Sequence, residues 1–377
     1  MLKRREFLTA TAGVATSLVV FAGGCDAVPL EELGDGKTVD GRLTAYHMPA
    51  EDAPHTRTFM QWPSSIDIYG GRALTKVQAE IASIANAISA FEPVVLLVST
   101  TETAKARRLL SGAVETWDIP TDDLWCRDSG PTFVKNAGGE LALAHLHFNG
   151  WGNKQEHGHD SRIAATVAGR LKLPLLETGL VGEQGGVESD GAGTLLAHAS
   201  CWVNPNRNAG TEAQIGALLN GALGAKKIIW APGIKGADIT DYHIDALARF
   251  VAPGKVLIQM GEAVDESDPW SVAAFETLNI LQQATDARGR KLEIVRLPEP
   301  VNIRSRKRDF VSSYVNYYLC NGAIICAQFG DKRADDRAQS TLRSLYPGRK
   351  IVALNIDAIG EAGGGIHCAT QQQPKAG

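Results

Sequence analysis

The chain has 377 residues, of which 44% are hydrophobic and 21% charged, and a net charge of −4 at pH 7. It contains no biased or low-complexity tract, so a packed globular body is expected and extended disorder is excluded. The acidic balance argues against a general nucleic-acid binder, whose affinity for phosphates needs a basic face, and is compatible with a small cationic partner.

The first residues read as an address. Lys3, Arg4 and Arg5 precede Glu6-Phe7-Leu8, and no Asp, Glu, Lys or Arg occurs from Leu8 to Cys25. Paired arginines before an uncharged stretch are the pattern of a twin-arginine export signal. Thr, Ser and Gly interrupt the stretch and leave it less apolar than a spanning helix of about 20 residues needs. Residues 1–25 are therefore expected to be an export signal, which sends the protein to the periplasm or cell surface. Residues 1–24 carry three bases and one acid, so their loss moves the net charge from −4 to −6. Phe21-Ala22-Gly23-Gly24-Cys25 also fits a lipoprotein site at which Cys25 is acylated and attaches the protein to a membrane; simple cleavage fits as well, and a single acyl chain anchors only marginally. Residues 26–41 are expected to be a Gly/Asp-containing linker, and residues 42–377 a single domain.

Beyond the linker, helix and strand signals alternate. Val77, Ile81, Ile84 and Ile88 recur at helical spacing within 74–91, and similar faces follow over 161–171, 212–223, 270–284 and 334–345. Between them lie β-rich runs at 94–98, 141–144, 194–197, 228–230, 256–258, 324–326 and 351–354. Helices at a roughly regular interval are what repeated ββαβ modules give, but an ordinary open α/β sheet alternates in the same way, and periodicity alone favours the open sheet.

Four stretches carry groups able to do chemistry. Gly363-Gly364-Gly365-Ile366-His367-Cys368 places a thiol after glycines that permit unusual backbone conformations and close approach of another group; an inert Cys in a tight turn before an edge strand fits too. Asp238 to Asp245 contains His243 and Asp245, which share a side if the segment is extended and would offer a proton carrier beside a fixed anion. Asp122 to Pro131 gathers acids, Trp125, Cys126 and a Gly-Pro breaker, with Cys126 expected to be packed rather than reactive. Glu183 to Gly193 is Gly-rich and acidic but lacks the glycine spacing of a dinucleotide fingerprint; a hairpin loop is its structural reading. The six cysteines, at 25, 126, 201, 320, 326 and 368, show neither CxxC pairing nor zinc spacing, and with Cys25 in the signal at least one of the other five is unpaired. A cysteine, a histidine and carboxylates without a phosphate loop suit a planar cation such as guanidinium, which carboxylates grip through paired N–H···O bonds while a thiolate attacks its carbon.

Met48-Pro49-Ala50-Glu51, Gln61-Trp62-Pro63, Trp125 to Pro131, Phe148-Asn149-Gly150-Trp151-Gly152, Glu183 to Gly193, Asn204 to Asn208, His243-Ile244-Asp245, Tyr314-Val315-Asn316, Gln328 to Asp331 and the Cys368 run occur in order from Met48 to the end. With these stretches the chain resembles agmatine deiminases and the related bacterial, Porphyromonas-type peptidylarginine deiminases. The resemblance implies a five-bladed α/β propeller (pentein) of ββαβ repeats, a catalytic deiminase domain, and C–N hydrolysis without metal or cofactor, agmatine giving N-carbamoylputrescine and ammonia. It implies that Cys368 attacks the guanidinium carbon, that Asp128 and Asp245 bind its nitrogens, that His243 protonates departing ammonia and then activates water, and that Glu183 orients His243. Trp125 and Tyr242 are expected beside the substrate, and family enzymes often form homodimers. Tyr242 stands where those enzymes usually carry Gly, Ala246 where Asn is usual and Asp52 where Trp is usual, so the pocket beyond the guanidinium is expected to differ. Peptidylarginine as substrate, amidino transfer to an amine, and an exported guanidine-binding protein without turnover are the alternatives.

Overall fold

The computed structural model describes residues 45–377; the export signal, Cys25 and the linker expected over 1–41 lie outside them. The strands are β1 (Tyr46–His47), β2 (His55–Gln61), β3 (Val94–Val98), β4 (Val114–Asp118), β5 (Thr132–Asn136), β6 (Leu141–His145), β7 (Leu175–Glu177), β8 (Val187–Ser189), β9 (Thr194–His198), β10 (Lys227–Ala231), β11 (Ala248–Ala252), β12 (Lys255–Met260), β13 (Glu293–Pro298), β14 (Tyr318–Cys320), β15 (Ala323–Ala327), β16 (Lys350–Leu354) and β17 (Thr370–Pro374). They form five separate sheets. The open sheet favoured by periodicity is therefore corrected: both architectures alternate helix and strand, and only the pairing distinguishes them.

Each sheet follows one plan. An antiparallel pair is extended by a parallel strand that the chain reaches through a helix, because parallel neighbours need a long crossover. Thus β5/β6 lead through α3 (Ile163–Leu171) to β7, β8/β9 through α4 (Glu212–Leu223) to β10, β11/β12 through α5 (Pro269–Gln283) to β13, and β14/β15 through α6 (Lys332–Leu345) to β16. In the fifth sheet the antiparallel partner of β2 is β17, from the other end of the chain; α1 (Gly71–Ser89) then leads to β3 and α2 (Thr100–Arg107) to β4. These are the five ββαβ modules of a five-bladed α/β propeller, and the last strand completes the first module. Pairing of Thr370 with Met60 brings the Cys368 turn back against the N-terminal half.

The helices form where local signals agree. Thr211 and Gln214 cap the start of α4 reciprocally, and Gly224, at φ 64°, ends it in the left-handed conformation that glycine adopts at least cost. Asp268 caps α5 with Pro269 following, and Asp331 caps α6. The apolar stripe of α1 (Leu74, Val77, Ile81, Ile84, Ile88) is buried. It packs in one core with alternate residues of β3 and with most of β14 and β15. Each such aliphatic side chain withdrawn from water contributes about 1.5–3 kcal/mol.

Candidate active site

His243 is presented by a turn, not by the strand that the expectation of a shared side assumed. Asp238 Oδ1 accepts from the Thr240 and Tyr242 N–H groups and from the Thr240 hydroxyl, while Asp241 (φ 58°) and Tyr242 (φ 69°) take left-handed conformations. Ile244–Ala246 is a 3-10 turn. His243 and Asp245 nevertheless both reach one pocket of about 240 Å³, because the tight turn brings together side chains two residues apart. Cys368, Tyr242, Gln259, Trp270, Gly363 and Gly364 also line this pocket.

Cys368 lies in the turn before the edge strand β17, so the structural alternative for this run is correct as geometry, and the thiol faces the pocket all the same. Its thiol donates to Asp245 Oδ2 at 3.5 Å, and the Asn316 side-chain amide donates to the sulfur at 3.2 Å while accepting from the Cys368 N–H at 3.3 Å. A Cβ on Gly365 would lie 2.4 Å from Asn316 Oδ1, so the glycine lets this clamp form. The other four described cysteines are unpaired and buried, and burial pushes the thiols of Cys126, Cys201, Cys320 and Cys326 up, away from the thiolate.

On one side of the pocket, His243 Nε2 donates to Glu183 Oε2 at 3.1 Å, and His243 Nδ1 stands 3.5 Å from Asp128 Oδ1. Gly185 permits this approach, since a Cβ there would meet Asp128 Oδ1 at 2.6 Å and His243 Nδ1 at 2.7 Å. Burial pulls the imidazole towards its neutral form, but the Asp128 carboxylate and the hydrogen bonds to Cys201 and Glu183 more than reverse this and hold His243 well above 6.5. Glu183 resists burial through the Arg207 guanidinium, 2.9 Å from both its oxygens, and through His243, which bring it down to about 2. Asp128 accepts from the Trp151 indole N–H at 3.0 Å.

On the other side, Asp245 Oδ2 accepts from His367 Nδ1 at 2.8 Å, and the second nitrogen of that ring donates to Glu51 Oε1, also at 2.8 Å. Burial works against the Asp245 anion; the His367 hydrogen bond and charge, with His243 and Arg249 behind them, win and hold it at about 2. The other oxygen of Asp245, Oδ1, is buried without a hydrogen-bond partner, a costly arrangement unless a bound donor completes it.

Of the residues expected from sequence, Cys368, His243 and Asp245 line the pocket, with Asp128 and Glu183 in direct contact with His243. Tyr242 lines it too, with its ring edge-on to Trp270 at 4.5 Å. Trp125 instead lines a neighbouring cavity of about 680 Å³ with Trp151, Lys154 and Ile239. Asn316, His367, Glu51, Arg207 and Trp151 were not singled out. All lie in stretches that carried the resemblance, and His367 directly precedes the thiol, but a buried ion pair leaves no periodicity or spacing by which to find it.

A five-module α/β fold with a thiol, an imidazole and carboxylates around one pocket defines a class of guanidine-modifying enzymes. The model of the Porphyromonas-type peptidyl-arginine deiminase family matches residues 47–374, and the chain belongs to that family. A Streptomyces coelicolor protein is 37% identical over 339 residues, covering 88% of this chain and 99% of its own. The agmatine deiminase of Pseudomonas fluorescens is 36% identical over 361 residues, covering 88% and 96%. The solved structure of the Enterococcus faecalis agmatine deiminase superposes with a TM-score of 0.81 at 29% identity, over 88% of this chain and 96% of that one.

Proposed function

We propose that the protein is a hydrolase of C–N bonds that deiminates agmatine, converting its guanidine group and water to N-carbamoylputrescine and ammonia. The observation that carries this reading is the convergence of Cys368, His243 and Asp245 on one pocket, with the Asp245 Oδ1 acceptor buried and unpartnered there. The relatives named as agmatine deiminases favour agmatine over other guanidines.

The guanidinium N–H groups donate to Asp245 and Asp128, carboxylates that match a planar cation in charge and geometry. Cys368 Sγ attacks the central carbon as thiolate, giving a tetrahedral adduct. His243, protonated because of Asp128 and Glu183, passes its proton to the departing nitrogen, which leaves as ammonia. The neutral imidazole then takes a proton from water, the hydroxide adds to the same carbon, and the C–S bond breaks to free the ureido product and the thiol. Tyr242 and Trp270 wall the pocket beyond the reacting carbon. Export through residues 1–25, with cleavage or acylation at Cys25, belongs to the same reading; mass determination of the processed N-terminus tests it.

The experiment is a panel of agmatine, free arginine and arginyl peptides with purified mature protein, following ammonia and ureido product. Agmatine is expected to give the highest kcat/KM; ureido product from arginyl peptides alone replaces agmatine with peptidylarginine as substrate, and its absence throughout ends the hydrolase reading.

A further inference from the structure

Away from the pocket, β6 and β7 end in three groups that fit a metal ion. His145 and Glu177 face each other across the parallel register, with His145 Nδ1 3.2 Å from Glu177 Oε1. His147, two residues on, turns back so that its Nε2 lies 2.7 Å from Oε2 of the same carboxylate. The two imidazole rings are 3.8 Å apart between centroids. One donor atom from each of the three residues lies within 4.8 Å of the others. Ligands about 2.0–2.2 Å from a common tetrahedral centre stand at comparable separations. The carboxylate is more than half exposed, so ion and water can reach the site.

A second observation points the same way. His147 has φ 44°, a conformation that non-glycine residues adopt at a cost of about 1–3 kcal/mol and that persists where the surroundings enforce a function. Extended backbone at 147 would not return its ring to Glu177. The strain opens a loop in which Gly150, Trp151, Gly152 and Asn153 are also left-handed, and Trp151 is the residue that donates to Asp128.

We propose that His145, His147 and Glu177 form a surface site for a zinc-class divalent ion, with two imidazoles and a carboxylate as ligands and water completing the shell, and that the ion pins the start of the loop that carries Trp151. Imidazole with carboxylate suits zinc and its neighbours better than calcium or magnesium, which prefer oxygen alone.

The test is equilibrium dialysis against buffered zinc in a Cys368→Ser background, which removes the pocket thiol as a competing ligand. The parent should hold one zinc more than each of the His145→Gln, His147→Gln and Glu177→Gln chains, all checked for native circular dichroism. Cobalt should show visible bands in the parent that these variants lose, and zinc should slow amide exchange over 147–153 in the parent alone. Equal zinc in parent and all three variants, or none in any, overturns the site; zinc lost from the variants with exchange unchanged in the parent overturns the pin.

Discussion

Two buried charge clusters stand behind the pocket, and they are built on opposite plans. Behind His243 the nearest groups are carboxylates, Glu183 and Asp128, and the cation comes one step further back: Arg207 grips Glu183 and also Asp241, which Lys154 contacts at 2.7 Å. Behind Asp245 the nearest group is His367, backed by Glu51, which pairs with Arg127 and Arg249; Arg249 also holds Glu188. The first arrangement favours a proton on the imidazole, and the second keeps a carboxylate anionic although burial opposes it. A proton carrier and a fixed anion thus differ in the sign of their first neighbour.

The strongest way to break the comparison is to remove what lies between the clusters. Cys368→Ser should lower turnover by at least about 10³-fold, as loss of a covalent nucleophile does, while both clusters stay intact and agmatine still binds. Single-turnover assays and calorimetry read the two effects separately. Glu183→Gln should cost about 10²–10³-fold in kcat, within the range of general acid–base catalysis. Because it takes a carboxylate from His243, the imidazole loses its proton at lower pH, and the alkaline limb of the pH–kcat/KM profile should move down. Asp245→Asn acts on the other cluster and should raise KM with no such shift of the alkaline limb. Identical pH profiles for the two variants would remove the functional distinction between the clusters.

Stability should separate them by pH as well. Glu183 and Asp245 are both held at about 2, below an unfolded value of roughly 4, so each stabilises the fold above that value and the contribution is lost as pH falls from about 4 towards 2. His243 has the opposite sign: its folded value is raised, so its contribution is complete below about 6.5 and disappears as pH rises through the folded value. Arg207→Met should cost about 3–5 kcal/mol at pH 7, since it strands Glu183 and Asp241 in the interior. The loss should shrink as acid protonates Glu183, and urea titrations at pH 7 and pH 3 measure it.

Much of this could be read before any coordinates. The stripe Val77, Ile81, Ile84, Ile88 gave α1 to within a few residues, and the span over 212–223 coincides with α4, because amphipathic periodicity and capping agree there. Strand β17 was missed: Thr370-Gln371-Gln372-Gln373 has no β-branched run or alternation, and it is a strand because β2 offers it a partner. The five-sheet arrangement also came from the resemblance and not from periodicity. Cys368, His243 and Asp245 were legible because each carries reactive chemistry near glycine or another acid. Glu51 and Arg249 were not, since they meet across 198 positions of sequence and only folding pairs them.

The smallest effect is expected at the pocket wall, where neither cluster changes. Tyr242 holds φ 69°, a left-handed conformation that glycine takes without strain, so Tyr242→Gly relaxes the turn that presents His243 while losing the ring contacts to His198 and Trp270, each 4.5 Å between centroids. Relief of about 1 kcal/mol and loss of packing of similar size nearly cancel in stability. The carboxylates, imidazole and thiol keep their partners, so kcat for agmatine should stay within a few-fold. What changes is space beside the reacting carbon. Selectivity should therefore move towards bulkier guanidines, read as a rise in kcat/KM for arginyl peptides relative to agmatine. A collapse of kcat instead would mean that the strained turn itself sets the position of His243, and that Tyr242 belongs functionally with the His243 cluster.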